Sequence, residues 1–347
     1  MKKKQVSFAI FAMLVLVIPA TTSCTQIVGI DQEYHLRKEP QPVADNQLGA
    51  NYVAVDATNV YWTNRADGRV MKKAIDGGGE AIAIATGQNE PRCIAVDATH
   101  VYWTNVGDGT VKRVAIDGPS CDATACPLLA EKQNNPYDIV VNDEFIFWTN
   151  EGTRPPEPAD PPVTPALDGS IMRLERYKTD PIPVPPAAPT TLVPSLNYPQ
   201  AIAVYETSVY WTDVDNLMKT GFDGVKRIPV ASLPQISLHT QFSDIAVNSQ
   251  GVFWTNTDTS SVNKVGITGF MPLQLAADTQ TPFGIAVDAT AVYWTNSFDG
   301  IVMKVGIDGG KADKLAEMQA YPVGIAVDET CVYWANRDNG TIMKREK

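Results

Sequence analysis

Residues 291–296 read Ala-Val-Tyr-Trp-Thr-Asn, and the last four residues of this stretch decide the fold because they recur along the chain. Six further copies, with small changes, occupy residues 61–64, 102–105, 147–150, 210–213, 253–256 and 333–336. The protein has seven tryptophans, so every tryptophan lies at the same position of a repeat. Seven equivalent uses of one residue indicate a structural role.

The spacing of the copies is typical of a β-propeller. Successive tryptophans are 41, 45, 63, 43, 40 and 40 residues apart, which is the range of propeller repeats. In the sixth repeat, short β-branched and aromatic runs at 283–288, 292–296, 301–307 and 312–316 predict four strands, with an Asp-Gly hairpin turn at 299–300. The sequence therefore predicts an all-β, seven-bladed β-propeller of four-stranded antiparallel blades.

The strands of one repeat need neighbours on both faces. Alternation puts Tyr293 and Thr295 on one face of their strand and Trp294 on the other. In the preceding strand, Ala286 leaves room for a large ring from the next blade. A single blade would leave its aromatic rings in water, so the blades must stack into a ring.

The last repeat ends one strand short, at Lys347, directly after its third strand. Val43-Ala44 precedes residues 53–56 by the same ten residues that separate Leu275-Ala276 from residues 285–288. We predict that residues near Val43 supply the outer strand of the last blade, so that an N-terminal strand closes the ring and covers the open edge.

The Tyr-Trp-Thr-Asn/Asp tetrapeptide, preceded by Gly-Ile-Ala-Val-Asp and followed by an Asp-Gly turn, resembles the YWTD repeat of low-density-lipoprotein-receptor class B propellers. It also resembles the repeat of uncharacterised bacterial YWTN-repeat propeller lipoproteins. The resemblance covers residues 43–347. It departs from the receptor pattern in having seven units where six are usual, and in having Asp at the fourth position only at Asp213. It therefore implies ligand binding as a class of activity and assigns no site residues.

The N-terminal region predicts export. Residues 1–23 combine three lysines with an apolar run too short to span a membrane, which indicates a signal peptide. The run ends in Thr-Thr-Ser before Cys24. Small residues before a cysteine resemble a bacterial lipobox, so Cys24 is the predicted lipidation site. The alternative is ordinary cleavage after Ala20, which would leave a free thiol. Residues 24–42 are polar and predict a tether, and residues 43–347 form the propeller domain.

These features place the protein at the bacterial cell envelope, lipid-anchored to the outer membrane or cell surface, or otherwise periplasmic or secreted. Without the three signal lysines, 25 basic residues face 39 acidic ones, a net charge of about −14. Such a charge opposes binding to nucleic acid or to anionic lipid. We expect a monomer that contacts the membrane only through its lipid anchor and that binds an unknown protein or glycan.

The remaining cysteines suggest one disulfide. Cys121 and Cys126 enclose a four-residue insertion and form a possible disulfide pair. Cys93 and Cys331 lie in repeats that are not adjacent, and we expect both to be buried free thiols.

The third repeat is the longest because it carries two proline-rich insertions, at residues 151–166 and 177–191. The first is either a tolerated surface loop or a recognition arm. In the second interpretation, Arg154, Glu157 and Asp160 are the possible partner contacts.

Catalytic motifs are scarce in the sequence. The three histidines, His35, His100 and His239, are not on predicted inner strands, and no nucleophile elbow or phosphate-binding loop is present. Asp213 and Asp215 are too few ligands for a calcium loop. We therefore assign no catalytic, cofactor-binding or metal residues and expect a non-catalytic binding or scaffold protein. The alternative is a propeller hydrolase or lyase with an acidic or metal-dependent site in the central channel.

A basic residue also recurs in the third strand of every repeat. We interpret this column as a device for solubility and edge protection, with the steering of an anionic ligand as the alternative. Its members are Lys72, Arg113, Arg173, Lys219, Lys264, Lys304 and Lys344.

Overall fold

The computed structural model describes residues 39–154, 166–177, 188–214, 216–232, 242–269 and 271–347. The predicted signal peptide, Cys24 and nearly all of the tether lie outside these residues, as do His35, Glu157, Asp160, Asp215 and His239. Within the described part of the chain, no helix is long and apolar enough to cross a membrane.

The first strand of the chain, β1 (Gln41–Ala44), belongs to the last blade. Blade 1 consists of β2 (Ala50–Val55), β3 (Asn59–Asn64), β4 (Arg69–Ala74) and β5 (Ile82–Ala85); blade 2 of β6 (Pro91–Val96), β7 (His100–Asn105), β8 (Thr110–Ala115) and β9 (Leu128–Ala130); blade 3 of β10 (Pro136–Val141), β11 (Phe145–Asn150), β12 (Gly169–Glu175) and β13 (Thr190–Leu196). Blade 4 consists of β14 (Ile202–Tyr205), β15 (Ser208–Thr212), β16 (Asn216–Gly221) and β17 (Ile228–Ser232); blade 5 of β18 (Phe242–Asn248), β19 (Gly251–Asn256), β20 (Ser261–Val265) and β21 (Leu273–Ala276). Blade 6 consists of β22 (Pro282–Val287), β23 (Ala291–Asn296), β24 (Ile301–Gly306) and β25 (Asp313–Ala316); blade 7 of β26 (Pro322–Val327), β27 (Cys331–Asn336) and β28 (Thr341–Glu346), with β1 as its fourth strand.

Seven separate four-stranded antiparallel sheets confirm the predicted propeller. The closing strand is confirmed as well, because β1 pairs with β28 through Gln41↔Lys344 and Ala44↔Ile342. Val43 and Ala44 are buried in one cluster with Trp62 of blade 1 and Tyr333 of blade 7. The N-terminal strand therefore pairs with blade 7 through backbone hydrogen bonds. Its side chains pack against both blade 7 and blade 1.

One aromatic contact builds every interface between blades. The ring that precedes each tryptophan packs in a single cluster with the tryptophan of the following blade, because alternate residues of a strand face opposite neighbours. Tyr61 lies with Trp103, for example, and Tyr333 closes the ring against Trp62. The other five pairs are Tyr102 with Trp148, Phe147 with Trp211, Tyr210 with Trp254, Phe253 with Trp294, and Tyr293 with Trp334.

In four blades a glutamine binds polar atoms of the tetrapeptide. Gln88 accepts hydrogen bonds at Oε1 from Trp103 Nε1 at 3.2 Å and from Asn105 Nδ2 at 3.1 Å. Its backbone N–H donates to the Gly68 carbonyl of the preceding blade. One glutamine thus ties a hairpin of blade 1 to the tryptophan and asparagine of blade 2. Gln47, Gln133 and Gln319 do the same for the tetrapeptides of blades 1, 3 and 7.

The threonine of the tetrapeptide crosses to the next blade. Its hydroxyl donates to a carbonyl oxygen of the neighbouring first strand, as Thr295 does to Val323 at 2.7 Å. Thr63, Thr104, Thr149 and Thr255 make the equivalent bonds to Arg92, Tyr137, Gln200 and Phe283. Blade 7 has Ala335 at this position and lacks the hydroxyl.

The interpretation of the basic column as a solubility and edge device was wrong. Six of its seven members donate to a backbone carbonyl just beyond the third strand of the next blade, as Lys72 does to Ile116 at 2.8 Å. Lys344 of blade 7 reaches Ile75 of blade 1 at 2.6 Å and so continues the pattern across the closure. The remaining four pairs are Arg113 with Tyr177, Arg173 with Phe222, Lys219 with Ile267, and Lys264 with Ile307. The column therefore joins blades.

We expect the closing strand to depend on its buried side chain. Val43→Asp should lower the free energy of unfolding by about 3 kcal/mol or more, because a carboxylate would lie unpaired against Trp62 and Tyr333. Gln41→Asp is the matched control, since Gln41 is an exposed residue of the same strand. Urea unfolding of the two variants measures the difference, and equal losses would contradict a closure sealed by side chains.

The glutamine that caps each tetrapeptide yields a second prediction. Gln88→Ala should cost about 2–4 kcal/mol, because it leaves two buried donors without an acceptor. In blade 6 the same position is Thr279, and Trp294 Nε1 has no hydrogen-bond partner. Thr279→Gln should therefore stabilise the protein by about 1 kcal/mol. Urea unfolding checks both values, and a destabilising Thr279→Gln would show that the glutamine is not the transferable element.

Candidate functional site at the mouth of the central channel

The first strands of the seven blades surround the axis of the ring, where each contacts the first strands on either side. Two successive positions lie near the start of these strands, and three residues of the first position line a cavity. Unlike the tetrapeptide, these positions differ from blade to blade. The outer of the two carries Asn51, Arg92, Tyr137, Gln200, Phe283 and Val323 in blades 1, 2, 3, 4, 6 and 7. The inner one carries Tyr52, Cys93, Asp138, Ala201, Asp244, Gly284 and Gly324 in blades 1 to 7.

A cavity of about 600 Å³ opens at the end of the channel where these strands begin. Arginines from three blades and one glutamate contribute to its wall. The lining residues are Gly49, Asn51, Arg65, Ala66, Glu90, Arg92, Phe283 and Arg337. We call this cavity the channel mouth.

Arg92 is the innermost of the three arginines. Its Cζ lies 3.4 Å from the centre of the Tyr137 ring, which holds the guanidinium in a cation–π contact. Its Nε is buried and has no hydrogen-bond partner. Because buried polar groups are normally hydrogen-bonded, an unpartnered guanidinium nitrogen at a cavity wall is the most informative feature of this region.

The other two arginines lie nearer to solvent. Arg65 Nη2 is 2.6 Å from Glu90 Oε2, with both side chains about half exposed. Arg337 Cζ lies 3.9 Å from the centre of the Tyr321 ring. Each follows the tetrapeptide of its own blade by one residue, so the mouth lies at the end of the ring that carries the hairpins between second and third strands.

Two aspartates, Asp138 of blade 3 and Asp244 of blade 5, occupy the inner of the two positions. Asp138 accepts from the Ile139 N–H at 2.8 Å and from the Ile202 N–H of the next blade at 2.9 Å. Asp244 accepts in the same way from Ile245 and Ile285. Each carboxylate thus connects two neighbouring inner strands, which gives it a structural role independent of any ligand.

Burial raises the pKa of Asp138 to about 6, against the effect of its hydrogen bonds. Burial and the negative charge of Asp138 raise the pKa of Asp244 well above its usual value. Burial also raises the pKa values of the neighbouring Cys93 thiol and Tyr52 hydroxyl. Because the charge of Asp138 affects the pKa of Asp244, the two carboxyl groups titrate as a pair. In the described ranges, no group of three or more His, Cys, Asp or Glu residues is arranged to hold a metal ion.

Close contact between blades narrows the channel on one side. A Cβ on Gly324 would lie 2.6 Å from Cα of Tyr52, so only glycine fits at this point of blade 7. The Tyr52 ring centre lies 6.4 Å from that of Phe283, which lines the mouth. Apolar rings therefore occupy the wall on the side of blades 1 and 6.

The predicted partner-contact region begins beside the mouth. Arg154 makes an ion pair with Glu151, and its Cζ lies 5.6 Å from the Tyr198 ring centre. Gln200 Nε2 donates to Glu151 at 2.8 Å, which joins the root of the insertion to the inner strand of blade 4. Glu157 and Asp160 lie outside the described residues, so their part in any contact stays a prediction.

The other candidate residues lie away from the mouth. A disulfide joins Cys121 and Cys126 in the blade 2 insertion, and Cys93 and Cys331 are buried free cysteines. His100 is buried at the start of β7, the second strand of blade 2. The tetrapeptide lies at the other end of this strand. Sequence reasoning missed Arg92, Asp138 and Asp244. An alignment of the seven repeats would have shown them as unlike residues at repeated positions.

No family model matches the chain, and no curated protein matches it. Solved structures do resemble it in fold. Virginiamycin B lyase from Staphylococcus aureus superposes with a TM-score of 0.68 at 13% identity, covering 89% of this chain and 98% of that one. A gluconolactonase from Xanthomonas campestris gives 0.52 at 13% identity, covering 89% of each chain. A nidogen/laminin complex gives 0.52 at 15% identity, covering 72% of this chain and 89% of that one. At such identities the likeness shows the propeller fold alone.

The aspartate pair predicts a pH-dependent stability. Because the folded pKa of Asp138, about 6, exceeds its ordinary value, the stabilising protonated state is fully present below about pH 4 and is lost as the pH rises through 6. Asp244→Asn removes the second charge. The melting temperature of this variant relative to wild type should therefore rise by about 2–4 °C between pH 4.5 and pH 7.5.

Asp122→Asn is the control for this experiment, since Asp122 is exposed and its hydrogen bonds to Thr124 lower its pKa. The difference in melting temperature between Asp122→Asn and wild type should stay constant between pH 4.5 and pH 7.5. The lost hydrogen bond of Asp244→Asn shifts all melting temperatures equally and does not affect the trend. A difference for Asp244→Asn that does not grow with pH would show that the carboxylates do not repel each other.

Proposed function

We propose that the protein is a non-catalytic lipoprotein of the bacterial cell envelope, anchored through Cys24, whose propeller binds a partner at the face around the channel mouth. The observation that carries this proposal is the mouth itself: a cavity of about 600 Å³ with three arginines and Phe283 in its wall. A closed ring of seven blades supplies a rigid support for such a site.

The first insertion of blade 3 supports the same face. Its root, at Glu151 and Arg154, is fixed to Gln200 and Tyr198. Asp168 accepts hydrogen bonds from Thr153 N and Oγ1 at 2.9 and 2.7 Å, which closes the base of the insertion. A recognition arm that starts from a fixed base loses less entropy when it binds. We therefore assign Arg154, Glu157 and Asp160 to the contact with the partner.

The second candidate function is a hydrolase or lyase that uses the channel carboxylates. The raised pKa values of Asp138 and Asp244 favour it, because a general acid needs a carboxyl group that is still protonated near neutral pH. The fold is shared with a lyase and a gluconolactonase. Both carboxylates, however, accept two backbone N–H bonds each in the described structure, which accounts for their positions without a substrate.

Capture of partners from envelope extract by the immobilised whole chain tests the proposal. Replacing residues 155–165 by a short Gly-Ser linker should abolish capture while the melting temperature stays unchanged, because Glu151, Arg154 and Asp168 remain. The matched control replaces residues 178–187, the central part of the second insertion. This insertion connects the third and fourth strands of blade 3. Capture should survive in the control.

Two results would reject the proposal. Full capture by the variant that lacks residues 155–165 would exclude this insertion as the recognition arm. If the protein converted a captured small molecule into a product, and if Asp138→Asn lost this activity, the enzymatic function would be supported and the binding function rejected.

A further inference from the structure

We propose that the channel mouth recognises a single carboxylate, carried on an otherwise apolar peptide segment of the partner, and that Arg92 is its principal ligand. This inference rests on the proposed function and specifies the chemistry of the partner. The partner segment is short, because only one side chain and its immediate neighbours fit into a cavity of about 600 Å³.

Arg92 has the geometry for this task. A guanidinium offers a planar fork of donors that matches both oxygens of a carboxylate. The face of the group packs on Tyr137, which leaves the edge that carries its donors as the part available to a ligand. Its Nε is buried and has no hydrogen-bond partner among the described residues. An incoming carboxylate would supply the acceptor that the folded chain does not.

The surroundings of Arg92 select for one negative charge. Arg65 and Arg337 also line the mouth, but each has an acidic partner, Glu90 at 2.6 Å and Asp338 at 3.6 Å, so Arg92 is the arginine of the wall without an ion pair among the described residues. The whole chain, in contrast, carries a net charge of −11. A polyanion would meet repulsion as soon as it extended beyond the mouth. An acidic glycan, a nucleic acid or an anionic membrane therefore fits less well than a single acidic group.

Apolar side chains on the same face favour a peptide. Phe283 lies in the wall of the mouth, and Leu48 directly precedes the lining residue Gly49 and is 63% exposed. Phe298 is 78% exposed, and its N–H bonds to Thr281 at the entrance to the inner strand of blade 6. Met318 is 94% exposed and adjoins Gln319, whose N–H bonds to the hairpin glycine Gly300. These side chains offer contact area to apolar residues that flank the carboxylate.

Selection of random peptides displayed on phage, against the immobilised whole chain, tests the proposal without a known ligand. We expect enriched peptides to contain one acidic residue, or a free C-terminal carboxylate, between apolar residues. Fluorescence anisotropy then gives the affinity of the enriched peptide, of its amide counterpart and of variants of the protein. Replacing the carboxylate by an amide, or Arg92 by Gln, should weaken binding about tenfold to a hundredfold.

Arg92→Lys keeps the charge but loses the planar fork, so its affinity should lie between those of wild type and Arg92→Gln. Arg227→Gln is the control, because Arg227 is an exposed arginine that bonds the Pro194 carbonyl in the outer part of the ring. It should bind as wild type does. Melting temperatures show that each variant folds, and Arg65→Gln provides a second test at a more exposed wall position.

Three outcomes would overturn the inference: enriched peptides without an acidic group, tight binding that persists in Arg92→Gln, or displacement of the peptide by oligogalacturonate at equal carboxylate concentration. The second outcome would leave the proposed binding function intact and move its site elsewhere. If replacing residues 155–165 abolished capture while the peptide experiments gave these negative results, the proposed binding function would stand. Only the inference about the carboxylate would then be rejected.

Discussion

The contact of one aromatic ring with the tryptophan of the next blade is the interaction on which the rest of the structure depends. A strand presents alternate side chains to opposite faces, so a Tyr-Trp pair serves two interfaces at once. Tyr333 against Trp62 is the same contact across the junction of the chain ends. Because each tryptophan is buried completely, no blade has a stable surface of its own until both neighbours are present. Closure by β1 adds Val43 and Ala44 to the cluster that holds Trp62 and Tyr333.

Much of this architecture could be predicted from the sequence, because its signals are local and repeated. The strands of blade 6 lie within one residue of their predicted ends, since Asp-Gly turns and short β-branched runs mark them. The closing strand followed from a missing fourth strand and a matching ten-residue spacing. The basic column was misinterpreted because its partners are carbonyl oxygens in other repeats, as with Lys72 and Ile116. Backbone acceptors leave no mark in a sequence.

A tyrosine–aspartate hydrogen bond recurs within the repeats, and both of its residues are recognisable in the sequence. Tyr61 donates its hydroxyl to Asp56, and the equivalent tyrosines of blades 2, 6 and 7 also pair with aspartates. In blades 3 and 5, phenylalanine replaces the tyrosine and asparagine replaces the aspartate, as in Phe147 and Asn142. In these six blades the carboxylate thus occurs together with the hydroxyl, whereas blade 4 combines Tyr210 with Tyr205. The candidate site gave a weaker signal, because Arg65, Arg92 and Arg337 come from three blades and the residue at each of their repeat positions differs between blades.

The propeller begins with one of its short strands. The chain reaches the propeller from its N-terminal side at β1, which is four residues long and pairs with β28 alone. Any tension transmitted from that side therefore acts first on this short ladder and on Val43 and Ala44, before it reaches the interfaces between blades. If a membrane anchor precedes β1, mechanical load between anchor and partner would peel β1 from β28 and expose the aromatic contact at Trp62. The ring would then open at the junction of its ends, and the strength of attachment would be set by four residues.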